Sequence, residues 1–263
     1  MKKFLLLCLC ALLAVPTWGA DNDTVTVFAA ASMTESMNQI AALYKKAAPN
    51  VEIVYNFDSS GTLKTQIQSG AECDIFISAG QRQMDQLDIT ANPSVNTEKL
   101  DFVLPGTRFD IVANQVVLIV PKGKNPKGIN DFADVITDKV SIVALGNSDV
   151  PVGQYSAEIY ANLGIWEKLK QQSKITYASN VKEALVQVAA AAVDCGVVYG
   201  TDAATSNGVE VAALAPAGSH RPIVYPAAIL KPVKNESAAK AFVEFLKGDE
   251  SKTVFKSIGF AIP

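Results

Sequence analysis

The sequence predicts an α/β fold in two lobes, and three observations lead to that prediction. Short apolar segments typical of strands alternate along the chain with longer segments typical of helices. The alternation occurs in two series, and no low-complexity linker separates them. Two series without a tether favour lobes joined directly by strands, and a cleft between such lobes is a favoured place for a ligand.

Before the first predicted strand, the chain has the features of a secretory signal peptide. Two lysines precede an unbroken apolar run, Phe4 to Val15, and the small-residue region TWGA follows it. The run is well short of the ~20 residues that span a membrane. We therefore expect removal of residues 1–20, with cleavage near Gly19 or Ala20, and a periplasmic mature chain. The alternative is an uncleaved amphipathic or buried helix.

The first series consists of three pairs of a strand and a helix. VTVFAA precedes MTESMNQIAALYKKA, VEIVYNF precedes GTLKTQIQSGA, and DIFISA precedes QRQMDQL. In the first helix, apolar side chains recur at helical spacing, and Lys45 and Lys46 occupy the last turn. Three such pairs in a row predict a parallel sheet with helices on its faces.

The second series follows a loop rich in Asn, Pro and Thr at residues 89–97. DIVANQVVLIVPKG is predicted to be one long strand, and DFADVI and VSIVAL come after it. A helix from about Gly153 to Leu163 is next, followed by the helical NVKEALVQVAAAAV and the strand GVVYG. The closing part adds two strands, VEVAAL and PIVYPAAIL, and two helices, ESAAKAFVEFLKG and ESKTVFKSIG.

Charge and composition argue against two classes of partner. Without the two lysines of the leader, 21 of the 23 basic residues remain against 26 acidic ones, so the net charge of the mature chain is −5. This charge makes nucleic acid an unfavourable partner. Cys73 and Cys195 remain after cleavage and could pair in an oxidising compartment, but two separate buried thiols are the favoured interpretation. With a single histidine, the sequence has no spacing that resembles a transition-metal site.

Hydroxyl side chains follow the first two predicted strands. Ser32 comes after VFAAA, and Ser59 and Ser60 come after VYNF, each at the start of a helix. Any one of these serines alone is favoured as an ordinary helix N-cap. Neighbouring parallel strands end at the same edge of a sheet, however, and Gly61 allows a ligand to approach the backbone closely. The two turns together therefore indicate a site for an anion.

Enzymatic and adhesive interpretations have less support. The sequence contains neither G-x-S-x-G nor a complete phosphate-binding loop motif. A nucleophilic Ser32 or Ser60 would depend on His220, which lies in the polar turn AGSHRP and is interpreted as a solvated loop residue. A serine-dependent hydrolase and an interaction module stay open as alternatives to a binding protein.

Five segments are characteristic in their order and spacing: VTVFAAASMTESM, FDSSGTLKTQIQSGAECDIFISA, VPVGQYSAE, NVKEALVQVAAAAVDCGVVYGTDA and FVEFLKGDESKTVFKSIGFAI. Together they resemble the periplasmic molybdate-binding proteins of ABC importers, in the type II superfamily of periplasmic binding proteins. The likeness covers nearly all of the chain after the leader. It implies two lobes, each a mixed, mostly parallel sheet flanked by helices, with the ligand cleft between them. Residues 21–111 and 205–263 would form lobe I, and residues 112–204 lobe II.

The resemblance also implies a set of ligand-binding residues. In that family a tetrahedral oxyanion is bound by two serine hydroxyls, two backbone amides and a tyrosine hydroxyl. The matching positions in this chain are Ser32, Ser60, Val152, Val181 and Tyr199.

Three positions near the implied site need separate mention. Relatives often have alanine at the position of Val152, so valine adds bulk to the cavity wall. Asp58 puts a carboxylate close to the anion unless its side chain caps the helix or points away. In the stretches where some related tungstate and molybdate receptors are thought to add a carboxylate ligand, Asp149 is the one candidate here. We therefore expect tetrahedral binding, with molybdenum held only as its oxyanion.

The function implied by the resemblance is a non-enzymatic receptor. It would capture molybdate, and tungstate of nearly equal size, in the periplasm and deliver it to an inner-membrane permease with its ATPase. No cofactor is expected besides this ligand, and a monomer is expected because the lobes must be free to close. A receptor for another tetrahedral oxyanion, such as sulfate, or for a small carboxylate, is the alternative within the same class.

Overall fold

The structure is a computed structural model that describes residues 23–263. The predicted signal peptide at residues 1–20 lies outside the described residues. Two five-stranded sheets, each flanked by helices, form two lobes, so the predicted two-lobed α/β fold is confirmed. None of the helices in the described range combines the length and the apolar character that a membrane span requires.

The strands and helices are numbered in chain order. The strands are β1 (Asp23–Ala30), β2 (Val51–Asp58), β3 (Ile75–Ile77), β4 (Phe109–Asn114), β5 (Val116–Pro121), β6 (Val143–Gly146), β7 (Ile175–Ala178), β8 (Cys195–Tyr199), β9 (Val209–Leu214) and β10 (Ile223–Ile229). The helices are α1 (Thr34–Ala47), α2 (Ser60–Gln68), α3 (Gln81–Asp85), α4 (Pro151–Asn162), α5 (Trp166–Gln171), α6 (Val181–Ala189), α7 (Gly200–Ala204), α8 (Glu236–Lys247) and α9 (Asp249–Ile258). Two 3-10 segments, Ala31–Met33 and Phe132–Ile136, complete the set.

Both sheets are mixed. The first has the strand order β2-β1-β3-β10-β4, in which β1, β2 and β3 are parallel and β10 is antiparallel to its two neighbours. The second has the order β7-β6-β8-β5-β9, in which β6 is parallel to β7 and β8 while β5 is antiparallel to β8 and β9. The strands β3, β5, β6 and β8 are buried along their whole length, as expected for strands covered on both faces.

The segment predicted to be one long strand is two strands in different sheets. DIVANQVVLIVPKG is interrupted at Gln115, where β4 of the first sheet ends and β5 of the second begins. The side chain of Asn114 accepts a hydrogen bond from the Gln115 amide at 2.9 Å. Residues 114–116 are therefore a crossover between the lobes. In the sequence it is marked only by the polar pair Asn114 and Gln115, since apolar residues of β4 and β5 lie on both sides of it.

The predicted division of the chain into lobes is wrong at both boundaries of the second lobe. Val112 to Asn114 pair with β10 in the first sheet, although residue 112 was the predicted start of lobe II. The strand β9, assigned to lobe I by the predicted boundary at residue 204, pairs with β5 in the second sheet. The buried apolar strand β5 needs hydrogen-bond partners on both edges, and β9 provides those on the outer one.

The two cysteines are free and buried. Cys195 belongs to β8 of the second sheet, whereas Cys73 lies just before β3 of the first sheet. The favoured interpretation of two separate buried thiols is therefore confirmed. Burial raises the pKa of both thiols, so each remains protonated and unreactive at neutral pH.

Candidate functional site

A small cavity lies between the lobes, where strands of both sheets end and helices begin. The space inside it that is open to the centre of a water-sized sphere is about 10 Å³. Among the described residues, none of those lining it is charged. The lining includes all five residues predicted to bind the ligand, each of them buried: Ser32, Ser60, Val152, Val181 and Tyr199.

Each of the five residues stands at the start of a helical segment. Ser32 belongs to the 3-10 turn between β1 and α1, Ser60 is the first residue of α2, and Tyr199 precedes α7. Val152 and Val181 are in the first turns of α4 and α6, where a backbone amide has no carbonyl partner within its own helix. The cavity therefore faces several helix N-termini, whose free amides and dipoles favour an anion.

The helix cap of α2 is Ser59 and not Ser60. Ser59 Oγ accepts a hydrogen bond from the Thr62 amide at 3.1 Å, which is the geometry of an N-cap. Ser60 Oγ instead accepts a hydrogen bond from the Ala79 amide at 2.9 Å. Because an amide donates to its oxygen, the hydroxyl proton of Ser60 is available to a ligand.

Ser32 has a partner that the sequence did not indicate. Its Oγ lies 2.9 Å from the hydroxyl oxygen of Tyr225 in β10, and it makes no side-chain cap for the 3-10 turn. Tyr225 lies in PIVYPAAIL, whose apolar character predicted a strand and nothing more. The register of β10 against β4 shifts between Tyr225 and Pro226, an irregularity of the kind that redirects a side chain.

Tyr199 is held as a neutral phenol at the cavity wall. Burial raises its pKa well above the usual value, so the hydroxyl keeps its proton. The oxygen lies 3.4 Å from the carbonyl oxygen of Ala79, a long hydrogen bond. The rings of Tyr155 and Tyr225 pack edge-on against it, with centroids 6.4 and 5.8 Å away, and restrict its position. In this geometry the single hydroxyl proton is donated to the Ala79 carbonyl. Because that hydrogen bond is long, the hydroxyl can exchange it for one to a ligand in the cavity.

The two carboxylates near the site do not line the cavity. Asp58 Oδ1 accepts hydrogen bonds from the Ser59 amide at 2.7 Å and from Asn180 Nδ2 of the other lobe at 3.3 Å. The side chain of Asp149 is exposed. Both acidic groups are therefore turned away from an anion.

Gly61 faces the second lobe. A Cβ atom at this position would lie 2.2 Å from the backbone carbonyl oxygen of Asp149. The sequence predicted that this glycine allows a ligand to approach the backbone closely. The structure shows that it allows the second lobe to approach.

A group of three charged side chains, of which only Asp202 is fully buried, joins the lobes beside the cavity. Lys182 Nζ of α6 lies 2.8 Å from both carboxylate oxygens of Glu35 in α1, and 3.1 Å from Oδ1 of the fully buried Asp202 in α7. Burial raises the pKa of the Asp202 carboxyl from 3.8 to about 6, against the lowering effect of Lys182. The sequence did not indicate this group, because Lys182 has the spacing of an ordinary helix surface residue.

No general base stands at the cavity among the described residues. His220 does not line it, and its Nδ1 lies 2.7 Å from the backbone oxygen of Arg221 while its ring packs against Tyr155. Groups of three or more His, Cys, Asp or Glu side chains able to hold a metal ion are absent from residues 23–263. The site offers neutral hydrogen-bond donors.

Comparison with known proteins places the chain in a family. A family model described as bacterial extracellular solute-binding protein matches residues 25–261. The chain is 38% identical to the molybdate-binding protein ModA of Escherichia coli strain K12, over 92% of this chain and 91% of that protein. It is 36% identical to ModA of Haemophilus influenzae, again over 92% and 91%.

Solved structures agree with the sequence comparison. The periplasmic molybdate-binding protein of Azotobacter vinelandii superposes with a TM-score of 0.78 at 26% identity, over 91% of this chain and 99% of that one. The resemblance found in the sequence is thereby confirmed. The chain belongs to the bacterial extracellular solute-binding proteins, non-enzymatic receptors, and within them to the family of the molybdate-binding proteins.

Proposed function

We propose that this protein is the periplasmic receptor of an ABC importer for molybdate, and that it also binds tungstate. The observation that supports the proposal is that five residues with neutral donor groups, from both lobes, line one small cavity, and that none of the described residues lining it is charged. Two relatives with more than a third of their residues identical over nearly the whole chain are molybdate-binding proteins.

The proposed ligand contacts divide between side chains and backbone. The hydroxyls of Ser32, Ser60 and Tyr199 and the amides of Val152 and Val181 donate to the oxygens of the anion. Hydrogen bonds to a charged group contribute roughly 1.5–3 kcal/mol each, so a few of them produce tight binding without a cationic side chain. Donors held by helix ends need little reorganisation when the ligand arrives.

The size and polarity of the cavity favour a small tetrahedral dianion. An oxygen atom is about as large as a water-sized sphere, whose centre can move within about 10 Å³ of the cavity. The tetrahedron formed by the four oxygen centres of such an anion encloses only a few cubic ångströms, so one anion fits. A protonated oxyanion would place its own hydroxyl donor against the donors of the protein, which disfavours its binding. Molybdate and tungstate carry no proton at neutral pH and have nearly the same size, whereas the smaller sulfate would leave donors stretched.

Thermal unfolding of the ligand-stripped mature chain tests the proposal. Molybdate, tungstate, sulfate and phosphate are added in turn, each up to the same concentration. An anion at about a thousand times its dissociation constant stabilises the fold by ~4 kcal/mol. We expect molybdate and tungstate to raise the midpoint, and sulfate and phosphate to leave it unchanged. A shift with sulfate alone would assign the receptor to a different oxyanion, and no shift with any of the four would refute the anion site.

A further inference from the structure

A series of hydrogen bonds connects the crossover at residues 114–116 with Ser32. Asn114 is the last residue of β4, and its Oδ1 accepts the backbone amide of Gln115 at 2.9 Å. A backbone amide can only donate, so this contact identifies the oxygen of the Asn114 side chain. Its Nδ2 must therefore face the opposite way.

Nδ2 of Asn114 donates to two oxygens on different lobes. It lies 2.9 Å from Thr201 Oγ1 in α7 of the second lobe, and 3.2 Å from the hydroxyl oxygen of Tyr225 in β10 of the first lobe. The amide nitrogen has two protons and no acceptor capacity. Both contacts are therefore directed from Asn114 outward.

The same donor-to-acceptor direction continues from Tyr225 to Ser32. Tyr225 is fully buried, and its phenol has one proton. That proton cannot be accepted by Asn114, and Ser32 Oγ lies 2.9 Å away as an acceptor. A buried hydroxyl proton without an acceptor is costly, so Tyr225 donates to Ser32. The proton of Ser32 is then free to point into the cavity.

We propose that Asn114 and Tyr225 are positioning residues for the ligand: through this chain of hydrogen bonds they orient Ser32 as a donor to the bound anion. The proposal rests on the proposed function of oxyanion binding. Ser60 reaches the same state by a different route, because the backbone amide of Ala79 fixes its oxygen as an acceptor. Variants at Asn114 and Tyr225 should therefore leave the donor at Ser60 in place.

The chain of hydrogen bonds also connects the crossover with the site. Asn114 meets both Thr201 and Tyr225 only when the two lobes hold these residues beside the same amide group. A rotation of the lobes about residues 114–116 changes those distances. The orientation of Ser32 is thereby coupled to the closed arrangement of the lobes.

The first test is a cycle of Tyr225→Phe and Ser32→Ala, with the dissociation constant for molybdate measured by calorimetry. Tyr225→Phe should weaken binding roughly tenfold in the natural background, the usual effect of one hydrogen bond at a charged ligand. In the Ser32→Ala background the same change should have almost no effect, because Tyr225 acts through Ser32. An equal loss in both backgrounds would refute the proposal.

The second test reverses the direction of the hydrogen bond between Asn114 and Tyr225. Asn114→Asp has nearly the same shape but presents an acceptor to Tyr225, which then no longer donates to Ser32. We expect Asn114→Asp to bind molybdate more weakly than Asn114→Ala, although alanine removes more atoms. In the Tyr225→Phe background this difference should shrink to the repulsion between the added carboxylate and the anion. Binding by Asn114→Asp as tight as by Asn114→Ala contradicts the proposal.

Matched controls separate this proposal from the proposed function. Ser36→Ala removes a buried hydroxyl that donates to the Met33 carbonyl at 2.9 Å and does not line the cavity, so it should bind molybdate normally. Unfolding midpoints without ligand show whether each variant is folded. If the natural protein does not bind molybdate, the proposed function fails. If it binds and Ser60→Ala weakens it, while the two cycles show no coupling, only the positioning proposal fails.

Discussion

Ser59 and Ser60 are adjacent and chemically identical, yet their hydroxyl groups have different partners. Ser59 accepts the amide of Thr62 and caps α2. Ser60 accepts a hydrogen bond from the amide of Ala79, on the turn after β3. Both serines line the cavity, but only the Ser60 hydroxyl is not engaged in capping α2. The pair therefore separates the contribution of a serine to the stability of a helix from its contribution to a ligand.

Alanine at Ser60 and alanine at Ser59 should affect different quantities, the affinity for the ligand and the stability of the fold. Ser60→Ala removes a donor to a charged ligand and should weaken molybdate binding by about 1.5–3 kcal/mol. Ser59→Ala removes a helix cap and should lower the free energy of unfolding by about 0.5–2 kcal/mol with a much smaller change in affinity. Calorimetry and chemical denaturation of both variants measure the two quantities. If Ser59→Ala weakened binding as much as Ser60→Ala, the distinction between cap and ligand donor would be wrong.

At the residue scale, local motifs were predictable and distant partners were not. The five proposed ligand residues lie in short motifs at strand ends, so the family resemblance located them, and the structure brings them to one cavity. Tyr225 meets Ser32 across 193 positions and Asn114 across 111 positions. No pattern within one segment indicates such contacts, because they depend on how the sheets are assembled.

At the scale of elements, α1, α6 and α7 meet in the ion group of Glu35, Lys182 and Asp202. Burial raises the pKa of Asp202 to about 6 in the folded protein, so the folded chain binds this proton at a higher pH than the unfolded chain does. The stabilisation that this proton contributes is fully present below the unfolded pKa, near 3.8, and is lost as the pH rises through about 6.

Asp202→Asn should change the pH dependence of stability in a defined direction. The substitution removes the titrating group, so the free energy of unfolding of the variant, relative to the natural protein, should rise between about pH 4 and pH 7. The rise should be no more than about 3 kcal/mol, which corresponds to the change in pKa. Urea denaturation at four pH values measures it, with Asp149→Asn at an exposed side chain as the control. A constant difference across this range would contradict the assignment.

The elements themselves were largely predictable, but their sheet membership was not. Apolar spacing predicted the strand and helix pairs of the first lobe and the strands β8, β9 and β10. It did not show the break at Gln115, because strand-like apolar residues lie on both sides of the polar pair Asn114 and Gln115. Helix α4 begins at Pro151, earlier than the predicted Gly153, since proline is well suited to the first turn of a helix.

At the scale of the whole molecule, two glycines allow the lobes to meet. Gly61 and Gly80 both face the second lobe, but an added Cβ would meet different atoms. At Gly61 it would lie 2.2 Å from the carbonyl oxygen of Asp149, which is backbone. At Gly80 the nearest atoms would be side-chain atoms of Gln83, Pro151 and Tyr155, at 3.3–3.5 Å. The first contact prevents closure, and the second needs only small shifts.

Gly61→Ala should therefore bind molybdate at least tenfold more weakly than the natural protein. Gly80→Ala should lose much less of the affinity for molybdate. The unfolding midpoint of Gly61→Ala without ligand should not fall, because the position is helical and alanine favours a helix by about 1 kcal/mol over glycine. Small-angle X-ray scattering should show that molybdate reduces the radius of gyration of the natural protein but not of Gly61→Ala. Tight binding by Gly61→Ala would mean that the ligand does not require this contact between the lobes.

The five proposed ligand donors are shared unequally between the lobes, with Ser32 and Ser60 on the first and the other three on the second. Neither lobe alone surrounds an anion. Unloading the ligand therefore requires no competing ion, no proton and no chemical step: a mechanical force that parts the lobes disassembles the site itself. A receptor built in this way can bind its ligand tightly and still release it quickly, because its affinity depends on the relative position of the two lobes.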